Sequence, residues 1–139
     1  MVNASGIIST VAGNATFADS GDGNAATAAG LGDPDGVAID SAGNLYIAEC
    51  NGEKIRKVSP GGTITTYAGT GGAGATGDGG AALQATFSGP RGMAVDSANS
   101  LYIADQNNHK IRKISGRTGD RRQWTGERRQ FRLRRAGSR

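Results

Sequence analysis

The chain has 139 residues, about a third of them hydrophobic, a size that suits one domain at most. Glycine supplies 24 residues and aromatics 5%, which favours many short strands and tight turns over a helical bundle, and no apolar run approaches the roughly 18–20 residues that span a bilayer. The net charge of +4 is unevenly held: nine arginines lie from Arg117 onward against only Asp120 and Glu127, while seven basic residues face ten acidic ones before them.

The N-terminal run MVNASGIISTVAG has neither the cationic start nor the long apolar stretch of a signal peptide. A single cysteine, Cys50, excludes an internal disulfide. From residue 6 to residue 115 the sequence matches itself at a constant step of 56 residues without a gap, as Asp40 with Asp96 and Ile55 with Ile111. The shared elements are GxIxTxAG (6–13 and 62–69), GDG (21–23 and 77–79), PxGxAxDSA (34–42 and 90–98), LYIA (45–48 and 101–104) and KIRK (54–57 and 110–113).

Taken in chain order, residues 6–12 read as an outer strand and 14–33 as a long loop. Residues 36–40 (GVAID), 45–49 (LYIAE), 54–59 (KIRKVS) and 63–68 (TITTYA) then form four strands separated by Ser41-Ala42-Gly43-Asn44, a polar connection and Pro60-Gly61-Gly62. Such a run is a four-stranded antiparallel meander. Leu45 and Ile47 point to one side of it and Tyr46 and Ala48 to the other, so the sheet is apolar on both faces and has to be sandwiched between neighbours. A second long loop (70–89) follows, in which 80–87 (GAALQATF) predicts about one helical turn, and residues 90–115 supply three strands of the next unit.

Sandwiched meanders in tandem describe the blades of a β-propeller, so the expected fold class is all-β: a partial β-propeller of four-stranded antiparallel blades with a 56-residue repeat. The spaced motifs PxGxAxDSAGNLYIAE, KIRKVSPGG and ITTYAG resemble the NHL repeat β-propeller family, in the long-loop bacterial form that is also similar to the propeller of teneurins. On that reading residues 1–13 hold the outer strand of a preceding blade, 34–69 a complete NHL blade and 90–115 an incomplete one, and the chain reads as a fragment. Residues 116–139 leave the repeat register for an Arg-rich tail. Three readings of the tail stay open: a disordered basic segment, a nucleic-acid-binding arm with Trp124 and Phe131 for stacking, and a frameshift product.

In a meander, the loops joining strands two to three and four to one leave at the same end. The long loops are therefore expected beside Glu49, Asn51 and Glu53 in the first blade and Asp105, Asn107 and His109 in the second. These six residues are the candidate partner-binding positions, because binding residues concentrate on loops over a rigid scaffold. Asp22 and Asp78 of the GDG motifs offer one carboxylate each, too few for calcium, so they read as turn formers. Asp40 and Asp96 are expected to cap turns. His109 is the only histidine, which leaves no repeated zinc ligand set, and no nucleophile motif accompanies Cys50. The glycine-rich 70–77 (TGGAGATG) lacks the GK[ST] ending of a phosphate loop.

No cofactor and no catalytic or metal residue is assigned. The resemblance implies a scaffold that binds proteins or ligands and, as for similar bacterial proteins, an extracytoplasmic parent, while the uncovered edges and apolar faces of an open stack imply self-association when the chain is expressed alone. The alternatives are an NHL-like lyase or lactone hydrolase, against which the apolar inner-strand positions Val37, Ala38, Met93 and Ala94 speak, and RNA binding through the tail.

Overall fold

The computed structural model describes residues 6–115. The tail, with all three readings of it, lies outside the described residues. Strands β1 (Pro34–Ile39), β2 (Leu45–Glu49), β3 (Lys54–Val58) and β4 (Ile64–Ala68) form one sheet in the order β1-β2-β3-β4, and β5 (Pro90–Val95), β6 (Leu101–Asp105) and β7 (Lys110–Ile114) form a second in the order β5-β6-β7. Every pairing is antiparallel. Single 3-10 turns occur at Ala26–Ala28, Ala82–Gln84 and Gln106–Asn108, the second of them inside the segment expected to make one. No helix among the described residues is long and apolar enough to cross a membrane.

The register explains the two-sided burial. Val37 faces Ile47 and Ala38 faces Tyr46 across β1 and β2, so alternate residues go to opposite sides. Tyr46, Ala48, Ile55 and Ala68 join Leu101, Ile103 and Ile114 of the second sheet, with Ala85 and Phe87 of the second long loop, in one core between the blades. Ile47, Val58 and Ile64 face the other way and are covered by Ala26 and Ala29 of the first long loop. A bulge between Ile55 and Arg56 sets Tyr67 beside Ala68 on the inter-blade side, where its ring lies 4.9 Å from that of Tyr46.

The blades meet closely at β1 and β5. A Cβ built on Gly36 would lie 2.1 Å from the carbonyl oxygen of Arg91, so only glycine lets the two backbones approach this far. Two polar links span the contact, Arg91 Nη1 to Asp35 Oδ1 at 3.2 Å and the Asn99 amide to the Ser41 hydroxyl at 2.9 Å.

The turn after the first strand of each blade is held by its aspartate. Asp40 Oδ1 accepts from the backbone N–H groups of Ala42 and Asn44, and its Oδ2 from the Asn44 amide and the Tyr46 hydroxyl. Asp96 repeats this with Ala98, Ser100 and Tyr102. Residues 6–12 carry a single bridge position at Ile8. Their repeat counterpart, β4, is held by the third strand of its own blade, and no such strand precedes them among the described residues.

Candidate functional site

Both long loops come back over the end of their own blade that carries the β2–β3 or β6–β7 connection, and an arginine on the third strand holds each one there. Arg56 lies directly opposite Ile47, which directs its side chain to the loop-covered face. Its Nη1 donates to Glu49 Oε2 (2.8 Å) and Asp19 Oδ1 (3.1 Å), and its Nε and Nη2 both donate to Asp22 Oδ1 (3.1 and 2.8 Å). Nη2 also reaches the carbonyl of Ser20 at 2.8 Å, and Lys54 Nζ adds a 2.7 Å ion pair to Asp19. A planar five-donor group is the residue suited to several acceptors around one plane.

The second blade repeats the clasp 56 residues on. Arg112 donates from Nε to Asp78 Oδ1 (3.0 Å), from Nη1 to Asp105 Oδ2 (2.9 Å) and the Thr86 carbonyl (3.0 Å), and from Nη2 to the Thr76 carbonyl (3.1 Å). Its guanidinium also sits 5.2 Å from the Phe87 ring centre. The aspartates of the GDG motifs are therefore anchors for the arginines as well as turn residues. Their leading glycines are packed tightly: a Cβ on Gly21 would lie 2.7 Å from Ala29 Cα, and one on Gly77 2.5 Å from Ala85 Cα, both at positive φ.

The carboxylates of the two clasps differ by one methylene, and a neighbour compensates. Glu49 fits because Gly52 has no side chain, since a Cβ there would stand 2.6 Å from Glu49 Oε1. In the second blade the shorter Asp105 leaves room for Asn108, at the position of Gly52, to donate to Asp105 Oδ2 at 2.8 Å. Asp105 Oδ1 accepts from the Ser88 N–H at 2.7 Å, whereas Glu49 Oε1 has no partner among the described residues. Burial pushes the Glu49 carboxyl up to about 7; Arg56 opposes the shift and the Asp19 charge reinforces it.

The six positions expected to bind a partner divide on this geometry. Glu49 and Asp105 are fully buried and occupied by the arginines, so they hold the loops and present nothing to solvent. Asn51, Asn107 and His109 are exposed at the loop end, and Glu53 is half-buried. Glu53 and His109 occupy the same left-handed position of their connections, at φ 56°. The Glu53 carboxylate accepts from the Gly89 N–H at 2.7 Å, which ties the first connection to the second long loop, and the N–H of Asn107 donates to the Ser88 carbonyl. Sequence reasoning passed over Arg56 and Arg112. The signal was present in the repeat, where an arginine, a GDG aspartate and an acidic residue seven positions before the arginine recur together. Cys50 is buried, and burial pushes its thiol up, opposite to what a reactive thiolate needs.

Residues 1–76 match the family model described as the teneurin NHL domain. The chain belongs to the teneurin NHL domain family. Residues 87–114 match the NHL repeat model as well, so both blades of this NHL chain are covered. Human Teneurin-1 is 34% identical over 110 residues, a match that takes in 70% of the chain and 4% of that protein. Among solved structures, a structural-genomics protein of unknown function from Bacteroides thetaiotaomicron VPI-5482 superposes with a TM-score of 0.66 at 29% identity, over 75% of this chain and 26% of that one. An auxiliary nutrient binding protein from the same organism gives a TM-score of 0.58 at 25% identity, over 76% of this chain and 28% of that one. The chain thus spans about a quarter of the length of these propeller-type structures, and its two sheets are a partial propeller.

Proposed function

We infer that this NHL segment is a non-catalytic interaction scaffold whose loop end receives a protein or small ligand. The observation that carries the reading is the pair of arginine clasps. Each fixes a loop of about twenty residues against its blade through buried ion pairs, and the rim so formed exposes Asn51, Asn107 and His109 with Glu53 beside them. Polar groups held on a rigid support bind at a smaller ordering cost than the same groups on loose loops. The buried ionisable groups at this end are engaged with one another, which suits support better than proton transfer. The similarity to an auxiliary nutrient binding protein points to binding in the same way.

A library of small polar fragments and short peptides, screened by amide chemical-shift changes, tests the reading. Shifts should gather at residues 51–53 and 106–109 and along the two long loops, and disappear in the N51A/N107A/H109A variant. Shifts confined to other surfaces, or identical in that variant, would count against it.

A further inference from the structure

The two blades present the same two faces, and within the chain one of each kind is already in contact. The following face of the first blade carries Gly36, Tyr46, Ala48 and Ile55, packed on the second blade. Its counterpart on the second blade carries Gly92, Tyr102, Ala104 and Ile111, and this copy is open. Ile55 is 0% exposed and Ile111 is 70% exposed. A Cβ on Gly36 would collide with the neighbouring backbone, whereas one on Gly92 meets nothing within 4 Å. At the other end, Val37 and Ile39 are 63% and 60% exposed, although their counterparts Met93 and Val95 pack against the inter-blade core.

We propose that the open face of the second blade is an interface for the first blade of another copy of this chain, joined head to tail in the geometry that already joins the two blades. Charge favours this occupant. Asp35 and Arg91 hold the same position in consecutive repeats and pair with each other across the existing contact at 3.2 Å. Arg91 would therefore meet Asp35 of the next copy, so that acid and base alternate along the assembly. A neighbour carrying arginine at that position would instead oppose like charges. One link is not reproduced, because Gly43 stands in the first blade where Asn99 stands in the second, and the bond to the serine is lost. The contact is heterologous, so it closes into a ring when the rotation per copy allows it. With one four-stranded and one three-stranded sheet per copy among the described residues, a ring the size of known propellers, four to eight blades, corresponds to about two to four copies.

Sedimentation velocity on the 139-residue chain across a concentration series tests the proposal, with Gly92→Leu as the blocking variant. In the isolated chain the new side chain enters open space, so the fold is unaffected, while in the assembly it occupies the place of the neighbouring backbone. The expected result is one discrete oligomer for the parent and loss of it in Gly92→Leu with an unchanged far-ultraviolet circular dichroism spectrum. Asp35→Arg should also weaken the oligomer, and the D35R/R91D exchange should restore it. A parent that stays monomeric has this face covered by something else, and overturns the proposal. So does an open-ended series of masses, an oligomer that survives in Gly92→Leu, or an exchange variant no better assembled than Asp35→Arg alone.

Discussion

Arg56 and Glu49 form an ion pair at 2.8 Å with both side chains removed from water, and the same guanidinium reaches the first long loop at Asp19, Asp22 and Ser20. A buried pair of this kind contributes little net stability relative to apolar packing, but removing one partner leaves the other charged or unsatisfied in a dry site. Arg56→Met should therefore cost about 3–5 kcal/mol in urea unfolding. The combined R56M/E49L variant should recover much of that loss, which a double-mutant cycle would read directly.

Position 55 and position 111 offer a comparison at fixed chemistry. Ile55→Ala removes buried atoms from the inter-blade core and should lower stability by about 2–5 kcal/mol. Ile111→Ala, made in the dilute monomer, should change it by no more than about 0.5 kcal/mol, because that side chain is exposed. Chemical denaturation of the two variants side by side measures the difference.

The closest backbone approach gives a third expectation. Gly36→Ala places a methyl group where the Arg91 carbonyl stands, and the blades must separate to admit it. Overpacking of this type costs about 1–3 kcal/mol, visible as a lower thermal midpoint.

The acidic groups divide in their pH dependence. Glu49 has a folded-state value of about 7 against 4.5 for the free side chain, raised by burial. Between those values the folded chain holds a proton that the unfolded chain has released. Its contribution to stability is therefore complete below about 4.5 and is lost as the pH rises through about 7. Glu49→Gln should flatten that part of the profile. Asp40 behaves oppositely: burial raises its carboxyl, but bonds from Asn44, Tyr46 and Ala42 outweigh burial and hold it below 3.8. Asp96 is held below 3.8 chiefly by the Ser100 N–H. What these two contribute is present above 3.8 and disappears as the pH falls through their lowered values. Denaturant midpoints across the acid range, for the parent and Tyr46→Phe, separate the two behaviours.

The strands were legible in the sequence because the inner ones are apolar on both sides and the turns carry their own markers. LYIAE is β2 to the residue, and the DSA turn residues cap as expected. The exit of the long loops beside the β2–β3 connection also follows from strand order alone. What holds those loops was not legible by periodicity. Arg56 sits in a strand at a position where alternation predicts an inward residue, and a charged side chain there looks like an interruption of the pattern. Its partners are 34 and 37 residues away, beyond any local window. Glu49 and Asp105 were counted among the candidate partner-binding positions because strand order puts them at the end where the long loops leave. Their burial follows from the arginine, and only the recurrence of the whole set at the repeat step carries that information.

An arginine on the third strand of each blade fixes that blade's long loop and so makes the loop end a rigid surface. Amide hydrogen exchange on Arg56→Gln, compared with the parent, tests it most directly, because the second blade serves as an internal control. Residues 19–30 should lose protection while residues 75–86 keep theirs, held by Arg112. Unchanged protection of residues 19–30 in that variant would contradict it.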